Sequence, residues 1–533
     1  MVINMNSVIR IHLPDGLIRE TSSAHGETLM ACVSAAGVFL DAPCGGQGKC
    51  GKCLVRLSPE GEQVLACRTI VDGDMNVYLP DAFDMKIADA GAQSARDAQG
   101  AGPSASPGQQ SALSGGNAAD FAEMRLGVAV DIGTTTVVAH LTDIDTGSRI
   151  ATASGVNAQR TYGADVISRI QYCAENGHET LTRLIRGQLS SLIRETCSSS
   201  GARMENISYI SIAANTIMEH LAAGYSPVGM GVVPFTPVSL FGGEIAAGDD
   251  LHIAKDSAIY FAPAIDSYVG GDITAGMLAA GLENMQGPVV YLDIGTNGEI
   301  AMKIGDKYYC CATAAGPAFE GAEITMGMAA VGGAINHVKW DGGLKLSVIG
   351  DGAPRGLCGS GLLDALAVLL ETGAVDESGR MLDADGIEHE IAANVGKADG
   401  KNIFRLSGEG GGVYMTASDV RKLQLAKSAI AAGIQTLLHH AGIAEGQVKA
   451  FILAGGFGSF MDQFSAARIG LFPKSFLPVA QTLGNTAGEG AALALCSPRA
   501  REALNDIRAR CEYIELSTSS VFNEQFVEQM MFE

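Results

Sequence analysis

The chain has no run of about 18 uncharged apolar residues, the length a membrane-spanning helix requires, so none is expected. Its first residues, MVINMNSVIRIHLPDG, lack the basic, apolar and small-residue succession of a signal peptide. Positive charge is scarce: 36 Lys and Arg stand against 58 Asp and Glu, a net charge of −22. That balance argues against nucleic acid or an anionic membrane as the main partner, since both would repel the chain at long range. Cysteine is too sparse for a disulfide scaffold, at 12 in 533 residues. Four of the 12 nevertheless cluster between positions 44 and 67, which points to a metal site in a reducing compartment and so to a cytoplasmic protein.

What is present reads as a folded, multidomain α/β protein. A hydrophobic content of 47% with 18% charge suits a globular chain, and 533 residues exceed one core, so three or four domains are expected. The 68 glycines fall in short clusters between apolar runs, as tight loops in α/β folds require. One word occurs twice. Residues 128–141 read VAVDIGTTTVVAHL and residues 289–300 read VVYLDIGTNGEI, with Asp131 and Asp293 162 positions apart. Each is an apolar strand, Asp-Ile-Gly-Thr, a polar turn and a second apolar strand. Gly133 and Gly295 let the backbone turn tightly and approach a ligand closely. The turn hydroxyls and N–H groups can hold phosphate oxygens, and the aspartate at the strand end can hold a metal ion or a water. A single copy reads equally well as a β-hairpin with a Gly-Thr turn; the repetition favours a duplicated phosphate-binding unit.

Along the chain, residues 1–82 form a first module with an alternating strand at 8–13, a short helix at 28–36, and Cys44, Cys50, Cys53 and Cys67 in the spacing C-x5-C-x2-C-x13-C. Three thiolates in a glycine-rich loop and one on a later strand suit an iron–sulfur cluster; structural zinc is the rival, although zinc sites usually carry two C-x2-C pairs. The other eight cysteines read as small buried hydrophobes. Residues 83–124 are Ala/Gly/Ser/Gln/Pro-rich and read as a flexible tether, with an r.m.s. reach of roughly 30–35 Å, or as a passive spacer. Gly270-Gly-Asp272 opens a helix, so Asp272 is either a Mg²⁺ or water holder or an ordinary cap. A Gly/Pro loop at 314–323 carries two carboxylates, Glu320 and Glu323. Thr416-Ala-Ser-Asp419 is a capping-box signature that opens a long amphipathic helix. At Gly455-Gly456, strand gives way to a glycine loop on which a base or ribose can lie flat. Four such loops at strand ends or helix starts carry more weight than one, because ligands gather there in open α/β sheets.

Together, Asp131-Ile-Gly-Thr-Thr, Asp293-Ile-Gly-Thr-Asn, Leu453-Ala-Gly-Gly-Phe-Gly and Gly484-Asn-Thr-Ala-Gly-Glu-Gly-Ala resemble the acetate kinase, sugar kinase, Hsp70 and actin superfamily. The whole chain further resembles the reductive activators of corrinoid proteins, most specifically at Tyr162-Gly-Ala-Asp-Val-Ile-Ser-Arg, Tyr268-Val-Gly-Gly-Asp, Ala315-Gly-Pro-Ala-Phe-Glu-Gly-Ala, Cys358-Gly-Ser-Gly-Leu and Gln424-Leu-Ala-Lys. The resemblance implies a ferredoxin-like β-grasp [2Fe–2S] domain (1–82), a linker (83–124), a middle RNase H-like domain (125–205) and a C-terminal actin/Hsp70-like ATP-binding domain (206–533). It implies an ATP-hydrolysing enzyme that returns one electron to the Co(II) corrinoid of a methyltransferase system, served by a low-potential electron donor, and a homodimer. Cys44, Cys50, Cys53 and Cys67 would hold the cluster. Asp131, Asp293 and Asp272 would hold Mg²⁺ or the water, Thr134, Thr135, Thr296 and Asn297 would contact phosphate, and Gly455 and Gly456 would lie against adenosine. Two rival classes stay open: a small-molecule kinase with a redox-sensing cluster, and a nucleotide-gated clamp whose cluster is structural. The chain departs from the family pattern in the short Cys53–Cys67 gap and at Gly488.

Overall fold

The computed structural model describes residues 7–13, 17–23, 26–36, 38, 40, 46, 48, 53–79, 121, 124–321, 323–350, 352–408, 412–458 and 460–532. Of the expected linker, all but Phe121 and Met124 lies outside them. Among the described residues no helix is long and apolar enough to cross a membrane.

The N-terminal module is a mixed sheet with one helix. Its elements are β1 (Ser7–His12), β2 (Ile18–Ser23), α1 (Leu29–Ala35), β3 (Leu54–Arg56), β4 (Gln63–Leu65) and β5 (Met75–Tyr78), in the sheet order β2-β1-β5-β3-β4. β1 runs parallel to β5, and the other pairs are antiparallel. α1 turns Leu29, Cys32 and Val33 to one side, the spacing of a single helical face, onto a core with Ile9, Ile11, Val55 and Val77.

Two larger sheets repeat one plan. The first holds β6 (Leu126–Ile132), β7 (Thr136–Asp143), β8 (Arg149–Val156), β9 (Ile207–Ala214), β10 (Glu244–Ala246) and β11 (Ala258–Phe261), ordered β10-β11-β9-β6-β7-β8. Helices α2 (Val166–Asn176), α3 (Glu179–Ser200) and α4 (Thr216–Ala223) accompany it, and α5 (Gly271–Ala279) follows. The second is built on β12 (Val289–Ile294), β13 (Gly298–Ile304) and β14 (Lys307–Thr313). Two three-stranded additions come next, β15 (Ala334–Trp340), β16 (Leu344–Val348) and β17 (Gly356–Leu357), then, after α6 (Gly359–Glu371), β18 (Val395–Ala398), β19 (Lys401–Arg405) and β20 (Tyr414–Thr416). The chain continues through α7 (Ala417–Ala441), β21 (Ala450–Ala454), α8 (Gly455–Gly458), α9 (Gln463–Arg468), β22 (Ala480–Thr482), α10 (Thr486–Cys496), α11 (Pro498–Ala509), β23 (Cys511–Tyr513) and α12 (Ser520–Glu528). The second sheet is ordered β22-β21-β12-β13-β14-β23.

The duplication read from the repeated word extends to register. In each sheet a central strand begins an antiparallel three-strand meander and takes a parallel partner on its other side. Asp131 lies opposite Ala213 of β9, and Asp293 opposite Ala454 of β21, so the two aspartates hold equivalent places. The division expected at 205/206 needs correction on this ground. β9 and β11 hydrogen-bond into the first sheet, so residues 206–261 belong to the first half, and the second sheet starts at Val289.

The halves exchange helices. Ile273 and Met277 of α5 pack with Val289, Tyr291 and Ile452 of the second sheet. Ala491, Ala494 and Leu495 of α10 pack with Ala129 and Ala213 of the first. α5 and α10 meet at small residues: a β-carbon at Gly490 would lie 2.1 Å from the Ala275 carbonyl oxygen, and one at Gly276 2.0 Å from the Tyr291 hydroxyl. Only glycine permits that approach.

Helix ends follow their local chemistry. Thr416 and Asp419 form the expected capping box on α7, and Asn485 caps α10. Of the eight cysteines read as small hydrophobes, Cys32, Cys173, Cys197, Cys310, Cys311 and Cys358 are buried; Cys496 and Cys511 are partly exposed.

Candidate functional site

The two Asp-Ile-Gly-Thr turns come together where the halves face each other. In the first turn, Asn157 Nδ2 donates to the Gly133 carbonyl (2.9 Å) and Asn215 Nδ2 to the Thr134 hydroxyl (3.1 Å). Arg169 reaches under it and donates to the Thr134 carbonyl. This arginine is fully buried. Burial above all, then the nearby Arg160, pushes its guanidinium down to about 9, so it stays cationic at neutral pH. Arg169 ends the word quoted from residues 162–169, and its role was not legible there.

Of the expected phosphate contacts, Thr134 is buried against Asn215, whereas Thr135 turns its hydroxyl outward. Thr135 donates to Glu320 Oε2 at 2.6 Å, and Thr296 of the second turn donates to Glu320 Oε1 at 2.7 Å. Asn297 closes its own turn, its carbonyl accepting from the Gly295 N–H at 2.9 Å. A β-carbon on Gly295 would meet nothing within 4 Å, while one on Gly133 would lie 3.0 Å from the Thr136 carbonyl oxygen.

Behind the turns lies a group of carboxylates. Asp131 takes a 2.6 Å hydrogen bond from Asn485 Nδ2, and Asp293 a longer one, 3.4 Å, from the Tyr291 hydroxyl. Glu299 is the cross-strand partner of Asp293, an unfavourable like-charge placement; the equivalent partner of Asp131 is Val138. Asp272 is the second residue of α5, after the N-cap Gly270, and its Oδ1 accepts the Ile273 N–H at 2.9 Å. It therefore does not cap the helix. Glu219 of α4 is completely buried, and neither side-chain oxygen has a hydrogen-bond partner.

Burial is the main cause that raises every one of these acids. Asp293 is pushed up to about 6 against the relief of the Tyr291 bond. Asp131 rises to about 7, with Asn485 opposing and Asp293 adding. Asp272 reaches about 8 through burial and the charges of Asp293 and Asp131. Glu219 and Glu299 lie well above the carboxylate range, through burial and Asp272, joined at Glu299 by Asp293. Five neighbouring acids with their charged forms disfavoured suit an incoming cation. Among the described residues no three His, Cys, Asp or Glu groups converge as a ready-made metal site. Glu299 follows directly in the word Asp293-Ile-Gly-Thr-Asn-Gly-Glu, and Glu219 follows the Asn215 cap, so both could have been marked as candidates.

The glycine loop after β21 divides its two expected residues. Gly455 has φ +86°, and a β-carbon there would lie 2.4 Å from Asp293 Oδ1; Gly455 thus serves the close approach of β21 to β12. Gly456 faces open space. Phe457, next in the loop, stacks on Phe319 with ring centres 5.6 Å apart and planes within 14°.

In the N-terminal module, Cys53 and Cys67 are buried with their sulfurs 3.3 Å apart, well beyond the ~2.05 Å of a disulfide. Cys44 and Cys50 lie outside the described residues. Gly46 and Gly48, in the same loop, have φ of +82° and +70°. A β-carbon at Gly46 would lie 2.6 Å from the Met30 methyl and 3.8 Å from the Cys67 β-carbon. Gly46 therefore lies close to Cys67, and the two thiols are near enough to be adjacent ligands of one metal centre.

Duplicated sheets with exchanged helices and facing Asp-Ile-Gly-Thr turns define the actin-like ATPase fold class. The family model described as the C-terminal domain of RACo, the ASKHA domain, matches residues 288–533, and that of the RACo middle region matches 126–285. The chain is 32% identical, over 592 aligned positions covering 97% of it and 98% of the relative, to the corrinoid activation enzyme RamQ of Eubacterium limosum. It is 24% identical to the [Co(II) methylated amine-specific corrinoid protein] reductase of Methanosarcina barkeri, over 76% of this chain and 77% of that one. The solved structure of a reductive activator for corrinoid, iron-sulfur protein superposes with a TM-score of 0.70 at 28% identity, covering 99% of this chain and 98% of that one. The chain belongs to the RACo family of reductive activators.

Proposed function

We propose that the protein is an ATP-dependent reductive activator that restores Co(I) in the corrinoid protein of a methyltransferase system by adding one electron to Co(II). The similarity to a corrinoid activation enzyme over 97% of the chain carries this reading, because it takes in the cysteine-bearing module as well as the ATPase halves. Cys44, Cys50, Cys53 and Cys67 would hold a [2Fe–2S] cluster, which supplies a one-electron store when bound. The burial of Cys53 and Cys67 keeps water from their sulfurs. Thiolate ligands need a reducing compartment, so the cytoplasm is the proposed location.

At the other site the chain's own groups would do the positioning. Thr135 and Thr296 offer hydroxyls from opposite halves, and Asp131, Asp293 and Asp272 offer charge to Mg²⁺ bound with the phosphates. Gly456 leaves room for adenosine. Hydrolysis would rest on placement and charge neutralisation, with no covalent step on the protein. A nucleotide can bias the cobalt equilibrium only through unequal affinity for two states of the complex. The two Asp-Ile-Gly-Thr turns, one from each half and both in contact with Glu320, are where such a difference can arise.

Cys53→Ser tests the reading. It is expected to abolish corrinoid reduction while ATP hydrolysis survives; reduction at the parent rate would refute electron transfer through the cysteine site.

A further inference from the structure

Glu320 has no part in the chemistry assigned above, yet its carboxylate touches both phosphate-loop candidates. Oε2 accepts from Thr135, in the turn after β6, and Oε1 from Thr296, in the turn after β12. Two oxygens of one anion thus join the duplicated turns of opposite halves. The turn carrying Glu320, Pro317–Glu320, is closely fitted on its other side. A β-carbon at Gly359, the first residue of α6, would lie 1.9 Å from the Phe319 carbonyl oxygen. The Phe319 ring stacks on Phe457 of the Gly455–Gly458 loop. One short turn therefore contacts both Asp-Ile-Gly-Thr turns and the glycine loop.

We infer that Glu320 is an internal carboxylate latch that occupies the terminal-phosphate position in the nucleotide-free protein and is displaced by a nucleoside triphosphate but not by a diphosphate. The inference rests on the reading of Thr135 and Thr296 as phosphate contacts. Two anions cannot share the two hydroxyls, so the terminal phosphate must expel the carboxylate. Phe319, adjacent in the chain, moves with it and displaces Phe457. Glu320 is a positioning residue here: it sets which nucleotide state closes the halves.

The test is equilibrium binding of ADP and of a non-hydrolysable ATP analogue to the full-length chain, with Mg²⁺, for the parent, Glu320→Ala and Glu320→Gln. With the latch removed, Glu320→Ala should bind the triphosphate on the order of tenfold more tightly, the worth of about one charge-assisted hydrogen bond. ADP affinity should change less than about threefold. Glu320→Gln should fall between, because its amide can still bridge both hydroxyls, the oxygen accepting from one and the nitrogen donating to the other, but without the carboxylate's charge; it also carries the test if the alanine variant does not fold. Triphosphate binding that is unchanged or weaker in both variants overturns the latch, as does equal tightening of ADP. A parent chain that binds neither nucleotide overturns the ATP reading and the latch together, whereas parent binding with unaltered variants overturns the latch alone.

Discussion

Replacing Asp293 by Asn should stabilise the nucleotide-free protein while it removes ATP hydrolysis. The side chain keeps its shape, and an amide oxygen can still accept from Tyr291. What is lost is a charge that burial disfavours. Asp293 titrates at about 6 in the fold against 3.8 in the unfolded chain. Between those values the native state holds a proton that the unfolded state has released, so stability falls as pH rises from about 4 to about 6 and stays low above. The full linkage is worth about 3 kcal/mol at pH 8, and solvent screening of this half-buried side chain reduces it to roughly 1.5–2. Relief of Asp272 and Glu299, both raised in part by Asp293, adds to the gain. The single tryptophan, Trp340, lies on β15 in the same half and reports its unfolding by fluorescence. Urea unfolding in chelator should show the Asn variant more stable at pH 8, by about half as much at pH 5, and by nothing near pH 3.5. A variant no more stable than the parent at pH 8, or a gain independent of pH, would refute the assignment of Asp293 to a carboxylate cluster whose charges burial disfavours.

The neighbouring groups give sharper local tests. Gly455→Ala forces a β-carbon to within 2.4 Å of Asp293 Oδ1 at a φ of +86°, so a loss of about 2–3 kcal/mol in urea unfolding is expected. Gly456→Ala meets nothing; it should leave unfolding unchanged and weaken nucleotide binding, and unaltered binding would remove adenosine from that loop. Asn485→Ala takes away the α10 cap and the hydrogen bond that lowers Asp131. It should cost about 1 kcal/mol of stability and move the acid limb of the ATPase pH profile to higher pH, the direction in which Asp131 loses its ionised form more readily. An unmoved acid limb would exclude Asp131 as the group that must be ionised.

Much of this was legible because the repeated word is locally complete. A strand, an aspartate, a glycine and hydroxyls are all written within a dozen residues, and Asp131 and Asp293 accordingly take equivalent places in two sheets. The helix caps at Asn215, Thr416 and Asn485 are likewise nearest-neighbour chemistry. What escaped is long-range pairing. Glu320 is separated from Thr135 by 185 positions, and Asn485 from Asp131 by 354, so neither contact leaves a periodic trace. Arg169 was visible only as the end of a word, since the Thr134 carbonyl it serves lies 35 positions away. The division at 205/206 failed for a related reason. β9 follows a long helix and looks like the start of something new, yet it pairs in parallel with β6, and parallel pairing is not written in adjacent residues.

The most direct measurement mixes the reduced, cluster-loaded protein with Mg-ATP and a Co(II) corrinoid protein and follows the Co(I) absorbance. The account predicts that Co(I) accumulates only with ATP present and not with Cys53→Ser or Asp293→Asn. Co(I) formed equally well without ATP, or none formed with any corrinoid protein of a methyltransferase system while ATP is hydrolysed, would contradict it.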